Sequence, residues 1–216
     1  ETATIHAFSS IETSGVKKGS IINISTTASS ISKCLRNIEQ QSGFNIKEVL
    51  VSVSGEEVSS TNSVGQAAIS EKEVSARDIE NALNMSSTLK IPNDKTLLYV
   101  VPNSFLIDGQ DNINDPLGMN GIKLEARSHL IHCSKNTKDN VKKCLKVSSS
   151  GIGIRKYFYS QLGVAHSVLT DYQKKLGVCV LDIGAGTTDI SVYQNGSITF
   201  SKVLPYAGDY ITEIIA

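Results

Sequence analysis

No stretch of this chain is apolar over the roughly 20 residues that a helix needs to cross a bilayer, and no signal peptide opens it. Charge of one sign is also missing. The 21 basic residues balance 21 acidic ones, so the composition gives no footprint for nucleic acid and no polybasic membrane patch. Cysteine is sparse, and Cys34, Cys133, Cys144 and Cys179 form neither a CxxC pair nor a zinc spacing. Each has apolar neighbours, where a free thiol behaves as a small buried hydrophobe, so reduced cysteines in a cytoplasmic protein are expected. No Ser/His/Asp or Cys/His set stands at telling positions, and no nucleophile is named. What is present is ordinary for a soluble globular protein: 216 residues, 40% hydrophobic and 19% charged, enough for one large or two small domains with a sizeable core. The chain opens at Glu1 rather than at a methionine and moves almost at once into the β-like stretch Ile5–Phe8, so a preceding segment is expected.

Patterning along the chain reads as α/β with a different texture in the middle. Ser25, Thr26 or Thr27 can cap a helix whose apolar face is Ile31, Cys34, Leu35 and Ile38, and Gly43 is placed to end it. Alternation at Val49, Val51 and Val53 predicts a strand. After Gly55 comes the polar run Glu56–Gly65, and Ser75 and Asp78 then have the spacing of a capping box before a helix bearing Ile79, Ala82 and Leu83. Lys95–Phe105 and Ile122–Cys133 read as strands separated by the turn signals Pro116-Leu117-Gly118 and Asn120-Gly121. Asn136 or Thr137 opens a further helix with Val141, Cys144 and Leu145 on one side. This middle block reads as a small α+β module inserted into an α/β framework. A Ser/Gly-rich join at Val147–Gly153 leads to a helix predicted over Tyr157–Thr170, ending near Asp171.

The chemistry is concentrated in Asp182-Ile183-Gly184-Ala185-Gly186-Thr187-Thr188-Asp189. The apolar strand beginning at Val178 delivers Asp182 to its end. Glycines follow, which permits positive φ and close approach of backbone to a ligand. Successive amides in such a turn form a concave anion site, and Thr187 and Thr188 add hydroxyl donors. A carboxylate beside a phosphate cradle makes sense next to a hydrated Mg²⁺ that bridges the two, which makes Asp182 the first metal candidate, acting through water, and Asp189 the second, unless it caps the loop backbone. A second strand, Ile190–Tyr193, an Asn195-Gly196 hairpin turn and a third strand, Ser197–Val203, follow. A plain glycine-rich turn without a ligand is the bland alternative. The turn is not a Walker loop, because no lysine follows the glycines. Nor is it a dinucleotide fingerprint, because a strand follows where that fold needs a helix.

This strand–turn–strand pattern resembles the second phosphate loop of the actin, hexokinase and Hsp70 superfamily. The helix containing Gly163-Val164-Ala165-His166-Ser167 resembles the superfamily's interlobe helix, and Gly208 resembles the glycine that starts the next helix near the nucleotide. Further stretches narrow the resemblance to the FtsA family of bacterial cell-division proteins. They are Val53-Ser54-Gly55, Gly65–Ser70, Asn114–Gly121, His129–Cys133, Ser167–Thr170, Leu176–Tyr193 and Lys202–Gly208.

The resemblance implies an actin-like ATPase fold with ribonuclease H-like lobes, partial, carrying an inserted α+β subdomain of the 1C type. It implies residues 1–55 as the first part of subdomain 1A without its first strands and 56–147 as the 1C-type insert. Residues 148–175 would return to 1A and form the interlobe helix, and 176–216 would begin subdomain 2A. ATP and Mg²⁺ are the implied ligands, with Gly184, Ala185, Gly186, Thr187, Thr188 and Gly208 at the nucleotide. Hydrolysis is expected to be slow at most, with no catalytic residue assigned.

The implied partners are other copies in filaments, FtsZ through a part not in this chain, and downstream division proteins on residues 56–147. The inner membrane would be reached through a C-terminal helix also outside this chain, placing the protein on the cytoplasmic face at the septum. The first phosphate loop is expected before Glu1, and the adenosine-contacting part after Ala216. Ala185 departs from the family's usual middle glycine and fits only with negative φ. The Val147–Gly153 join is longer and more polar than usual. Two alternatives share the loop: a pilus-assembly relative of FtsA, and a sugar- or acid-kinase-like enzyme, for which no catalytic Asp and substrate pocket are evident.

Other features have plain readings. His129 and His132 are three apart on a predicted strand and point to opposite faces, so they do not converge on a metal. Glu56-Glu57 and Glu71-Lys72-Glu73 read as solvated faces, and Tyr157-Phe158-Tyr159 as packing on a helix.

Overall fold

The computed structural model describes residues 4–88, 91–149 and 151–216. After the segment leading in, a short antiparallel hairpin, β1 (Val16–Lys17) and β2 (Ser20–Ile21), precedes the helix α1 (Ile24–Ser42). The helix is capped by Asn23, whose side chain accepts from the Thr26 amide, rather than by any of the three hydroxyl residues behind it. Asn23 has the extended backbone an N-cap needs. The other end is Gly43, left-handed at φ 72°, as the glycine signal requires. Ile5–Phe8 is not a strand. It finds no sheet edge, and the segment rests on α1 instead, where the Phe8 amide meets Gln41 and Ser9 meets Cys34 and Asn37.

Strand β3 (Glu48–Val53) pairs in parallel with β8 (Gly153–Tyr159). Between them lies a four-stranded antiparallel sheet in the order β4-β7-β5-β6, from β4 (Ser59–Ala68), β5 (Lys95–Ile107), β6 (Gln110–Ile113) and β7 (Lys123–Ser134). Helix α2 (Ala76–Ser87) lies across this sheet. Its capping box is complete: the Ser75 hydroxyl accepts from the Asp78 amide, and the Asp78 carboxylate accepts from the Ser75 amide. Asp78 also accepts from Ser70, and these bonds, led by that from the Ser75 hydroxyl, hold its carboxyl down at about 2.

Gly65 is what lets α2 lie so close. A Cβ there would stand 2.1 Å from the Ala82 carbonyl and 2.2 Å from the Ser86 amide. Pro102 is tolerated in β5 because β6 pairs only with the Phe105–Ile107 end, so the missing N–H faces no second strand.

Helix α3 (Lys135–Ser148), capped by Ser134, packs on α1 and carries the chain back toward β8. The sequence reading placed a helix over Tyr157–Thr170. Tyr157-Phe158-Tyr159 is instead the end of β8, and two helices follow: α4 (Ser160–Val168) and α5 (Asp171–Leu176). The break at Leu169 and Thr170 has a local cause, since Thr170 and Gln173 form a second reciprocal capping box. The chain closes with the antiparallel meander β9 (Val178–Ile183), β10 (Thr188–Gln194) and β11 (Ser197–Leu204), then α6 (Gly208–Ile215). Asn195 and Gly196 both have positive φ, 53° and 87°, as an Asn-Gly hairpin turn demands.

Among the described residues, three apolar clusters hold these parts. One sits under α2 in the inserted sheet and includes Val74, Ala82, Phe105 and Leu124. A second joins Val53 of β3, Ile131 and Cys133 of β7, Tyr159 of β8 and Val203 of β11. The third, with Ala165, Val180, Tyr193 and Ile198, binds α4 to the meander. Among the described residues no disulfide forms: Cys133 and Cys144 are buried and Cys34 is half-buried. Cys179 was expected among apolar neighbours in the interior. It is exposed, because it falls on the outer face of β9 while Val180 points inward.

Candidate phosphate site at the β9–β10 turn

The turn is four residues, Gly184 to Thr187, between the paired residues Ile183 and Thr188. The Gly184 amide donates to the Thr187 carbonyl at 3.0 Å and closes it. The next three amides, of Ala185, Gly186 and Thr187, make no hydrogen bond among the described residues. Three successive unspent N–H groups in one turn are the donor set of an anion nest.

The turn is fixed from behind by the start of α6. The amides of Gly208 and Asp209 donate to the carbonyls of Gly184 and Ala185 at 3.1 and 2.8 Å, and the Thr188 hydroxyl donates to the Tyr206 carbonyl at 2.8 Å. Backbone carbonyls are thereby occupied while amides stay free, which favours an anion over a cation at the tip. It also changes two expectations. Thr188 spends its hydroxyl proton inside the protein. Gly208 serves by tying α6 to the turn.

The glycines do not act through positive φ. Neither Gly184 nor Gly186 is in the left-handed region. Their lack of a side chain is used for contact. A Cβ on Gly184 would lie 3.3 Å from the Thr187 carbonyl, and one on Gly186 would lie 3.2 Å from Cγ of Lys18. Ala185 also has no positive φ, so its methyl group is accommodated.

Lys18 was not singled out from sequence. It occupies the β1–β2 turn, where Lys18 and Gly19 have φ of 48° and 76°. Gly19 is pressed against Gly55 at the end of β3, whose own φ is 110°: a Cβ on Gly19 would meet the Gly55 Cα at 2.5 Å. The signal was there in Val16-Lys17-Lys18-Gly19-Ser20-Ile21, a glycine-bearing tight turn between short β-like pairs.

The two aspartates separate in role. They are register partners across β9 and β10 and so share a face. Asp182 is exposed beside the turn. Asp189 is 4% exposed, and its Oδ1 accepts from the Tyr159 hydroxyl at 3.3 Å. Burial, with Asp182's charge adding to it, raises the Asp189 carboxyl above the usual range, while the Tyr159 bond works against this. The Tyr159 hydroxyl is driven up by burial and by Asp189. Asp182 is therefore free to face a hydrated cation, whereas Asp189 is committed to the interior. Among the described residues no group of three or more His, Cys, Asp or Glu side chains converges as a metal cage. Mg²⁺ does not require one, since it keeps waters and takes one or two carboxylates plus phosphate oxygens.

A cleft of about 760 Å³ opens in front of the turn, between Lys18 and Ile22 on one side and Ala185, Gly186, Tyr206 and Tyr210 on the other. A larger cavity of about 900 Å³ lies elsewhere, between the inserted sheet and the β10–β11 hairpin, lined by Asn62, Asn103, Arg127, Lys175 and Thr199. His129 and His132 are both buried on β7. His129 bonds Asn62 at 2.6 Å and Ser201 at 2.8 Å, so it joins the inserted sheet to β11.

Comparison with known proteins places these features. A family model described as the SHS2 domain inserted in FTSA matches residues 55–132, and one described as cell division protein FtsA matches residues 179–216. The cell division protein FtsA of Pseudomonas aeruginosa is 39% identical over 202 residues, covering 94% of this chain and 48% of that protein. That of Escherichia coli is 33% identical with the same coverage. The chain thus spans about half the length of the curated relatives it matches. A solved chain described as the PilM-PilN type IV pilus biogenesis complex superposes with a TM-score of 0.60 at 14% identity, over 94% of this chain and 55% of that one. At that identity the likeness speaks for the fold. With the insert, the hairpin turn and relatives along 94% of its residues in agreement, the chain belongs to the FtsA family of cell-division proteins, on the actin-like ATPase fold.

Proposed function

We propose that the β9–β10 turn binds the phosphates of ATP and that the protein works as an actin-like, ATP-binding component of the division machinery. The observation that carries this is the turn itself: three unspent amides, carbonyls occupied by α6, and Asp182 exposed beside them. Gly184, Ala185, Gly186 and Thr187 form the phosphate contact, with Thr188 and Gly208 holding the turn in place. Asp182 fits a Mg²⁺ ion through water, and the ion would neutralise phosphate charge. Asp189 supports the hairpin from within and is not retained as a direct ligand. We assign no residue to group transfer and take ATP as a structural ligand, with hydrolysis slow at most.

On this reading residues 1–55, 148–175 and 176–216 are parts of the two lobes and 56–147 is the insert. Filament formation, the link to FtsZ and the inner membrane at the septum, and docking of later division proteins on the insert are proposals that rest on family membership. Among the described residues no helix is long and apolar enough to cross a membrane, and we assign the membrane and FtsZ contacts to the part of the relatives' length this chain does not span. The fold likeness to the pilus-complex chain supports, as a second reading, an FtsA-like protein of pilus assembly.

Nucleotide clefts of this kind draw donors from two lobes, and this turn supplies one side. Calorimetry with MgATP is expected to show little binding to this chain and saturable binding to a chain lengthened at both ends to the span of its relatives. Tight binding by the shorter chain overturns the two-sided cleft. No binding by the longer one overturns the nucleotide reading.

A further inference from the structure

We infer that Lys18 is a phosphate ligand, supplying from the β1–β2 turn the positive charge that the β9–β10 turn lacks. This rests on the phosphate reading of that turn and adds the residue that would give the site its charge. The turn has amides but no lysine or arginine, and two carboxylates, Asp182 and Asp189, lie at its root. Amides alone supply partial charges. A polyphosphate at this position needs a full positive charge from the protein or from a metal ion.

Lys18 is the basic side chain the fold lays across the turn. Its Cα and Cγ are 3.4 and 3.2 Å from where a Cβ on Gly186 would be, so Gly186 is glycine where the lysine stem crosses it. The crossing is built, not incidental. Lys18 holds φ 48°, a conformation that costs a non-glycine residue about 1 kcal/mol or more. The neighbouring Gly19 allows the hairpin to press on Gly55, and Gly55 in turn could carry no side chain, since a Cβ there would meet the Lys18 carbonyl at 2.7 Å. Three glycines from three segments thus converge on one lysine.

The charge of Lys18 is also unspent. Among the described residues it has no carboxylate within 4.0 Å, although Glu56, Asp209 and Glu213 line the same cleft. Its ammonium sits 5.9 Å from the centre of the Tyr206 ring, an aromatic face that favours a cation. Tyr206 is itself tied to the turn through the Thr188 hydroxyl. A half-buried lysine whose stem crosses a turn with three free amides, and whose ammonium faces an aromatic ring tied to that turn, makes a site for a phosphate oxygen. The acidic groups around it oppose a bare polyanion and favour one that arrives with Mg²⁺.

The test is amide chemical-shift titration of this chain with MgATP and, separately, with magnesium tripolyphosphate, carried into the millimolar range so that weak binding is read. Saturable shifts at Ala185, Gly186 and Thr187 are expected with both. Lys18→Met keeps the stem over Gly186 and removes the charge, and it is expected to weaken both ligands about tenfold, the size of one charge-assisted contact. Lys18→Arg should recover most of that loss, and Lys33→Met, on the exposed side of α1, should behave as the unaltered chain. Unchanged affinity in Lys18→Met overturns the assignment. A loss with MgATP but not with tripolyphosphate also overturns it, because the contact would then be to the nucleoside. Absence of shifts at the turn in the unaltered chain refutes the phosphate reading itself, and with it this inference.

Discussion

Protonating His129 is expected to weaken the join between the inserted sheet and the sheet that carries the β9–β10 turn. Its side chain is 2% exposed and spans the two, with Nδ1 against Asn62 Oδ1 at 2.6 Å and Nε2 against Ser201 Oγ at 2.8 Å. Asn62 Nδ2 donates to the Thr199 carbonyl at 3.1 Å, which fixes Oδ1 as the acceptor. Nδ1 therefore carries the proton and Nε2 accepts from Ser201, a neutral ring with both nitrogens satisfied. Burial first, and the neighbouring His132 second, push its pKa from 6.5 down to about 4.

The folded chain then binds fewer protons than the unfolded chain between these values. Stability is complete above pH 6.5 and is lost as pH falls toward 4. At about pH 5 the unfolded imidazole is nearly all protonated and the folded one about a tenth so, a penalty of about 2 kcal/mol. His132, also lowered by burial, acts in the same sense, while Asp189, raised by burial, acts in the opposite one. The His129→Gln variant isolates the term, since glutamine keeps a donor and an acceptor but does not titrate. Urea unfolding at about pH 7.5 and about pH 5 should show the unaltered chain losing about 2 kcal/mol more than the variant. Equal losses in the two proteins would refute the reasoning.

Other substitutions probe the packing that positions the site. Gly65→Ala drives a methyl into the Ala82 carbonyl and Ser86 amide, and is expected to cost about 3 kcal/mol or more in denaturant unfolding. Ser75→Ala removes the α2 cap and an Asp78 partner, with an expected loss of about 1 kcal/mol. Asp78 contributes stability above its ordinary 3.8 that disappears as pH falls toward about 2, so acid unfolding of the Asp78→Asn variant should lack that component. Tyr159→Phe strips the buried Asp189 of its hydroxyl donor, and thermal or urea unfolding at neutral pH should register a loss of about 1–3 kcal/mol.

Local signals were legible in the sequence and distant ones were not. The Ser75–Asp78 box, the Gly43 stop and the Asn195-Gly196 turn are each decided within a few residues, and they stand where the pattern puts them. Tyr157-Phe158-Tyr159 read as helix because a short aromatic run has no decisive period. Its strand character comes from pairing with β3, about a hundred residues earlier. The glycines of the β9–β10 turn stand in a turn as the pattern puts them, but neither Gly184 nor Gly186 has the positive φ expected of them. Positive φ is a local property; the reason for Gly186 is the Lys18 stem arriving from the β1–β2 hairpin. Asp189 looked equivalent to Asp182 in the motif and shares its face of the hairpin, and only the packing of Tyr159 shows that one carboxylate is buried while the other stays exposed.

The measurement that bears most directly on the account is hydrogen exchange of this chain at millimolar MgATP. The β9–β10 turn as phosphate site predicts slowed exchange at Ala185, Gly186 and Thr187, whose amides are unspent without ligand. Protection confined to the larger cavity around Asn62, Asn103 and Arg127, with the turn exchanging as before, would contradict it.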